Sequence, residues 1–299
     1  MTQDSAPPLS DGDQPIRFGG YVVAVIDVLG QKEAIRALSQ VPQKEAEQLG
    51  FVKNKLRASL TVRNFVRDTV LRFLASYGAT PRISEFHLLD FYRQQVLERS
   101  KAHPIGTYLF SDTIVIHSPI LNNWNEPGAH GIYSILAACG STMMTCMAAG
   151  VPIRGAVEVG WGLIWDHGEL YGPAFLSAYE LEQCAAQWPR IVVGPEITRA
   201  LNEFSRLPGF TDREKIQAAL AKLCQELICN DFDAKPIVDY LGTTMRGMVY
   251  DDKLRDLFVR GLSFAVGEHE RFTRDGNSKL CDRYAKVRRY YEERKEFWT

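Results

Sequence analysis

The sequence has no excess of charge of either sign. Its 299 residues include 35 lysines and arginines against 36 aspartates and glutamates, so the formal net charge is −1. Proteins that coat nucleic acids present a strongly basic surface, and this balance argues against that class of function. The hydrophobic share of 45% and the charged share of 24% are ordinary for a globular chain and exclude wholesale disorder.

The sequence also lacks paired cysteines and a secretory signal. Its six cysteines are scattered, without a Cys-x-x-Cys motif, which favours free thiols in a reducing cytoplasm over a disulfide framework. The N-terminus has no basic start followed by an apolar run, so it predicts no signal peptide. The stretch between His130 and Arg154 carries no charge, but polar residues and glycines interrupt it. It predicts a buried helix instead of a membrane span, and we expect a cytoplasmic protein.

Hydrophobic patterning predicts an α+β fold in which the strands return to one sheet and helices pack on it. The order of the elements is typical of a ferredoxin-like sandwich. The predicted strands are Tyr21–Asp27, Thr107–Phe110, Thr113–His117, Val151–Gly160 and Arg190–Val193.

The same pattern divides the chain into parts. Residues 1–18 form a polar tail, and residues 19–205 form the sheet domain. A helical pattern at about 41–103 is an insert in that domain, and residues 206–299 form a helical C-terminal extension. Within the extension, Thr211 to Glu214 is a capping-box pattern that predicts the start of a helix.

Two aspartates are notable because each lies at the end of a predicted strand. Asp27 ends an otherwise apolar strand, and Asp112 lies with Ser111 in the tight turn of a predicted hairpin. If the first strand runs antiparallel beside the strand that starts at Thr113, the two carboxylates meet at one edge of the sheet. Two carboxylates with a nearby main-chain carbonyl form an oxygen site for Mg²⁺ or Mn²⁺. The other interpretation is that each aspartate only ends a strand or shapes a turn.

Five segments of the chain follow one another in a recognisable order. They are Ala24–Gly30, Leu109–His117, Ile153–Gly160, Tyr171–Leu181 and Arg190–Gly194. In this order they resemble the catalytic domain of the class III nucleotide cyclases. The resemblance implies that Asp27 and Asp112 hold two metal ions, Mn²⁺ or Mg²⁺, with the Val28 carbonyl as a further ligand. The amides of Leu29 and Gly30, where the next helix is predicted to start, are suitably placed for a phosphate.

The chain departs from the family pattern in the residues that stabilise the transition state. Leu176 and Glu180 stand where the family has an asparagine and an arginine. Arg154 is the candidate substitute for that arginine, because strand alternation places it on the polar face together with Glu158. An ion pair between Arg154 and Glu158, without a role in catalysis, is the alternative.

The residues that read the base also differ. Tyr108 stands where the family has a purine-specifying lysine, and Glu169 stands at the position of its acidic partner. Tyr108 either abuts the base or packs in the core, and Glu169 either contacts the base or is solvated. The chain has the family's metal-binding aspartates, at Asp27 and Asp112, but other residues where the family reads a purine base. In this combination it resembles the pyrimidine nucleotide cyclases of bacterial Pycsar antiphage systems.

That resemblance implies a homodimeric enzyme, with active sites at the subunit interface, that converts UTP or CTP to cyclic UMP or cyclic CMP and pyrophosphate. The cyclic nucleotide would be a second messenger of antiphage defence that activates a partner effector. Two other functions stay open. One is a degenerate cyclase-like module that binds or senses a nucleotide, and the other is a purine nucleotide cyclase.

Overall fold

The computed structural model describes residues 17–31, 45–79, 105–120, 128–165, 169–248 and 252–298. The predicted tail therefore lies almost wholly outside the described residues, as do parts of the predicted insert. The strands are β1 (Arg17–Val28), β2 (Gly106–Phe110), β3 (Thr113–Pro119), β4 (Ile153–Trp165), β5 (Glu169–Tyr171), β6 (Ile191–Val193), β7 (Ile228–Asn230) and β8 (Pro236–Val238). The helices are α1 (Glu45–Ala79), α2 (His130–Ala148), α3 (Pro173–Ala185), α4 (Pro195–Ser205), α5 (Asp212–Glu226), α6 (Thr243–Met248), α7 (Asp252–Arg274), α8 (Ser278–Glu293) and α9 (Lys295–Trp298).

The fold is mixed α+β, and the eight strands of the described residues join one sheet. Their order is β2-β3-β1-β4-β6-β8-β7, with β5 paired to β4. All neighbours run antiparallel except β4 and β6, which are parallel. Strand β1 lies between β3 and β4, and every residue from Gly19 to Val28 is buried. Its sequence is β-branched on both faces because helices cover both faces of the sheet at this position.

The two faces of the sheet carry different helices. Val22, Ala24 and Ile26 belong to the large core that includes α2 and part of α1. The alternate residues of β1, which include Val23 and Val25, pack with Val115 and with the small residues of α3. Helix α2 is long and apolar enough to cross a membrane, but 89% of it is buried inside the fold. The prediction of a buried helix before the strand of Arg154 is therefore confirmed.

Several local predictions are confirmed. The hairpin of β2 and β3 closes through Ser111 and Asp112 alone, and α5 starts with the predicted capping box, in which Thr211 and Glu214 bind each other's main-chain amides. The strand predicted to end at Gly160 is longer than expected, because β4 continues to Trp165 and pairs with β5. Its glycines allow close packing: a Cβ at Gly160 would lie 3.0 Å from the Cα of Ala174.

The predicted helical extension also contributes strands to the sheet. Strands β7 and β8 pair with each other, and β8 pairs with β6. Near the end of the chain, Tyr291 and Trp298 belong to the same buried cluster as the centre of the sheet. The indole of Trp298 donates a hydrogen bond to the carbonyl oxygen of Leu241 at 2.9 Å. These contacts fix the extension against the sheet.

A buried arginine joins α3 to the connection between β7 and β8. One terminal nitrogen of Arg190, Nη1, lies 2.6 Å from a carboxylate oxygen of Asp231 and 2.8 Å from one of Asp233. The other, Nη2, donates to the carbonyl of Ala185 at 2.7 Å, and the guanidinium stacks 3.5 Å from the ring centre of Trp188. The cation adjacent to Asp233 holds the pKa of that carboxyl well below its usual range.

We expect Arg190→Met to lower the free energy of unfolding by about 3–5 kcal/mol, because Asp231 would stay buried without its cation. The matched control is Arg199→Met, since Arg199 pairs with Glu196 on the exposed surface of α4. That control should cost less than about 1 kcal/mol. Urea unfolding followed by circular dichroism measures both values, and equal losses in the two variants would contradict the prediction.

Candidate active site

The register of β1 and β3 brings the two aspartates to one edge of the sheet. Asp27 stands directly opposite Thr113, which is the residue after Asp112. The side chain of Asp27 is largely buried, with 10% of its surface exposed, and Asp112 is partly exposed. Val28 is buried at the same end of β1. The antiparallel pairing on which the sequence argument depends is therefore present.

The turn that carries Asp112 is backbone-strained. Ser111 has a φ of +56°, a conformation that non-glycine residues seldom adopt and that two-residue hairpins of the primed types require. Strain of this kind is concentrated at sites where a turn must present a side chain in a fixed position. Within the described part of the chain, the carboxylate of Asp112 has no hydrogen-bond or ion-pair partner.

Arg154 lies beside Asp27 and is held from the other side by α3. It stands opposite Asp27 in the pairing of β1 with β4. Its Nε and Nη2 atoms each lie 3.3 Å from Oδ2 of Asp27, while Nε lies 2.7 Å from Oε1 of Glu182. Its Nη1 atom donates to the carbonyl of Ala186 at 3.3 Å. The arginine therefore places a positive charge at the aspartate edge in a position that Glu182 fixes.

The alternative ion pair between Arg154 and Glu158 is wrong. The carboxylate of Glu158 accepts hydrogen bonds from the amides of Val159 at 2.8 Å and Ile197 at 3.2 Å. It thereby caps the N-terminus of α4, where the local N-cap residue is Gly194 and supplies no side chain. Burial raises the pKa of Glu158. Its role in the structure is to bind α4 to the sheet.

Tyr108 and Glu169 come close together beside α3. The hydroxyl of Tyr108 donates to the carbonyl of Leu170 at 3.2 Å, and its ring centre lies 6.3 Å from that of Phe175. Burial raises the pKa of Tyr108 well above its usual value, and the nearby charge of Glu169 raises it further. Glu169 itself is exposed. Tyr108 therefore binds β5 to the body of the sheet, and Glu169 is the more accessible of these two residues.

The remaining predicted residues lie around the same edge. The amide of Leu29 donates to the carbonyl of Pro152 at 3.0 Å, so it is not available for a phosphate as predicted. Gly30 is exposed with a φ of +86°, and the helix predicted from residue 32 lies outside the described residues. Leu176 and Glu180 are exposed on the outer surface of α3, and neither brings a cation to the site.

Two residues of this region were missed by the sequence reasoning. Glu182 could have been found, because it continues the four-residue spacing of Ala174 and Ala178 on the buried face of α3. A carboxylate on such a face needs a cationic partner. Arg63 of α1 also reaches the turn of Asp112, and no spacing in the sequence relates these two distant segments.

No family model, no curated protein and no solved structure matches the chain. The similarity to the nucleotide cyclases rests on the sequence motifs alone. Within the described residues, no three side chains of the His, Cys, Asp or Glu types converge as a ready metal cluster. The donors that the family resemblance implies, Asp27, Asp112 and the Val28 carbonyl, would be two carboxylates and a main-chain oxygen. Such a set fits Mg²⁺ or Mn²⁺ when phosphate and water oxygens complete the coordination.

We expect a double-mutant cycle between Arg154→Met and Glu182→Met to give a coupling energy of about 1–3 kcal/mol. The double variant should lose less stability than the sum of the two single losses, because each single variant leaves one buried charge without its partner. The control cycle uses Arg288 and Glu292, an exposed pair one helical turn apart, where coupling of about 0.3–0.5 kcal/mol is expected. Additive losses at Arg154 and Glu182, measured by urea unfolding, would contradict the assigned pair.

Proposed function

We propose that this chain is a metal-dependent nucleotide cyclase that converts UTP or CTP to the 3′,5′-cyclic nucleotide and pyrophosphate. The observation that carries the proposal is the convergence of Asp27 and Asp112, which the pairing of Asp27 with Thr113 fixes at one edge of the sheet. A strand end and a hairpin turn, far apart in the sequence, here supply the two carboxylates that such chemistry needs.

The topology supports the same proposal. Helix α1 lies between β1 and β2 in the chain, and α2 lies between β3 and β4. With the spatial order β2-β3-β1-β4, these elements form the β-α-β-β-α-β arrangement of ferredoxin-like folds. We propose that residues 19–205 form a cyclase domain on this plan. The homodimer, the cytoplasmic location, the role in antiphage defence and the cyclic-nucleotide-activated effector are parts of the proposal drawn from the family resemblance.

In the proposed reaction the 3′-hydroxyl oxygen attacks the α-phosphorus and the bond to the β-phosphate breaks. Pyrophosphate leaves, and the hydroxyl proton passes to water. Asp27, Asp112 and the Val28 carbonyl would hold the metal ions, which lower the pKa of the attacking hydroxyl and offset phosphate charge when bound. The chain itself contributes orientation and fixed charge, which are the main terms in phosphoryl transfer.

Arg154 is the residue proposed to stabilise the negative charge that develops on the phosphates at this edge. Its guanidinium lies 3.3 Å from the Asp27 carboxylate and 2.7 Å from the Glu182 carboxylate. A third nitrogen donates to the Ala186 carbonyl at 3.3 Å. This arrangement fixes the direction in which Arg154 presents its charge, without reorganisation during the reaction. It also orients the Asp27 carboxylate before any ligand arrives.

A nucleotide-binding module without catalysis is the second candidate. Leu176 and Glu180 favour it, because they put no cation where the resembling family has its transition-state residues and are exposed instead. Such a module would bind a nucleotide and release it unchanged. The two candidates therefore differ in whether pyrophosphate and a cyclic product are formed.

We expect wild-type protein with Mn²⁺ and the four ribonucleoside triphosphates to form a cyclic pyrimidine nucleotide, identified by mass spectrometry. Asp27→Asn and Asp112→Asn should each lower the rate by about a hundredfold or more, because each removes a charged metal ligand. Asp282→Asn, an exposed change on α8, is the matched control and should keep the full rate. Circular dichroism checks that all variants fold.

The cyclase proposal is overturned if the wild type forms no cyclic product from any of the four nucleotides with Mn²⁺ or Mg²⁺. It is also overturned if the aspartate variants keep the wild-type rate. A cyclic purine as the main product would replace the pyrimidine assignment with that of a purine cyclase.

A further inference from the structure

Helix α1 is anchored beside the candidate site by one apolar stripe. Val66 and Val70 are completely buried in the main core, and Val62 and Phe65 pack against it. This spacing of three and four residues is typical of a helix that buries one side. The stretch between residues 62 and 70 is therefore fixed in position, and its polar side chains have defined surroundings.

One of those polar side chains reaches the strained hairpin turn. Nη1 of Arg63 donates to the carbonyl oxygen of Ser111 at 3.5 Å, and Nη2 donates to the amide oxygen of Asn64 at 3.2 Å. The Nε atom of Arg63 is shielded from solvent and has no hydrogen-bond partner. Within the described residues, the contacts of this guanidinium are with neutral groups only.

A partly buried guanidinium without a carboxylate partner is unfavourable, because desolvation of the charge is not offset. The next arginine along α1 shows the usual solution. Arg67 pairs with Asp68 at 2.8 Å and keeps 36% of its side chain exposed. Arg63 lies one turn earlier on the same helix and has no such partner among the described residues. This indicates that Arg63 pairs with an anion that is not part of the described structure.

The location of Arg63 indicates which anion that is. Ser111, whose carbonyl it contacts, is the neighbour of Asp112 in the two-residue turn, and Asp112 is the unpartnered carboxylate of the proposed metal pair. A ligand that reaches both residues must offer oxygens to a metal ion and further negative charge to a guanidinium. Polyphosphate has both properties, and the planar guanidinium matches phosphate oxygens in geometry.

We propose that Arg63 binds the phosphate chain of the nucleotide at the edge formed by Asp27 and Asp112. This inference rests on the proposed function and deepens it, since it gives the helical insert a role in the substrate site. In the resembling family a helix arginine stands at the position of Glu180, and here α3 brings no cation from that position. Arg63 would supply a positive charge from α1 instead. Because Arg63 is held by main-chain and amide oxygens, it is directed at the turn before the ligand binds.

The test is calorimetric titration of the full-length protein with inorganic triphosphate in excess Mg²⁺. We expect Arg63→Gln to weaken binding by about tenfold or more, because a charge-assisted contact with phosphate is lost. Arg63→Lys should recover part of the affinity, since a lysine keeps the charge without the bidentate geometry. Arg67→Gln, which removes the same charge one turn away, is the matched control and should bind as the wild type does.

The KM for UTP, measured on the same variants, separates this inference from the proposed function. If the wild type forms cyclic nucleotide but Arg63→Gln keeps the wild-type affinity for triphosphate and the wild-type KM, the role of Arg63 is overturned and the cyclase activity stands. If the wild type forms no cyclic product but binds triphosphate through Arg63, the cyclase activity is overturned and the phosphate site stands. A wild type that does not bind triphosphate overturns the role of Arg63.

Discussion

The pairing of β1 with its two neighbours is the constraint on which the rest of the site depends. Asp27 faces Thr113 of β3 on one side and Arg154 of β4 on the other. A shift of one residue in either pairing would turn the alternating side chains of β1 to the opposite face of the sheet. Since both faces of β1 are packed, such a shift would bury Asp27 among the apolar side chains of α2. The hydrophobic core therefore fixes the position of the carboxylate.

The charged groups around Asp27 bear on the proposed cation site. The group formed by Asp27, Arg154 and Glu182 has two carboxylates and one guanidinium, and Glu182 is 1% exposed. Glu182 is the more buried of the two acids and lies closer to the guanidinium than Asp27 does. Asp112 has no ion-pair partner among the described residues. In the proposed site a divalent cation would bring positive charge to Asp112.

The sequence was sufficient where one short segment determines the structure. The two residues between apolar strands specify the β2–β3 hairpin, and Thr211 with Glu214 specifies the start of α5, because these are local hydrogen-bond patterns. The convergence of Asp27 and Asp112 also followed, once antiparallel pairing was assumed. Strands β7 and β8 could not be predicted, since three residues are too few to show an alternation of period two.

Contacts between segments that are far apart in the chain could not be predicted from the sequence. Arg154 and Glu158 share a face of β4, as alternation predicted, but their partners come from α3 and from the N-terminus of α4. Only the packing of those helices decides which carboxylate meets the arginine. In the same way, nothing within α1 indicates that Arg63, and not Arg67, meets the turn of Asp112, because this depends on how Val66 and Val70 seat the helix in the core.

Binding of phosphate and breakage of the phosphate bond place different demands on this edge. A guanidinium at the turn and an arginine beside Asp27 would attract a nucleotide in a catalyst and in a binding module alike. Only catalysis requires charge to be stabilised where it develops, close to the attacking oxygen and the leaving pyrophosphate. In the proposed cyclase the carboxylate pair would meet that requirement by holding cations, which is why Asp27 and Asp112 separate the two functions and the arginines do not.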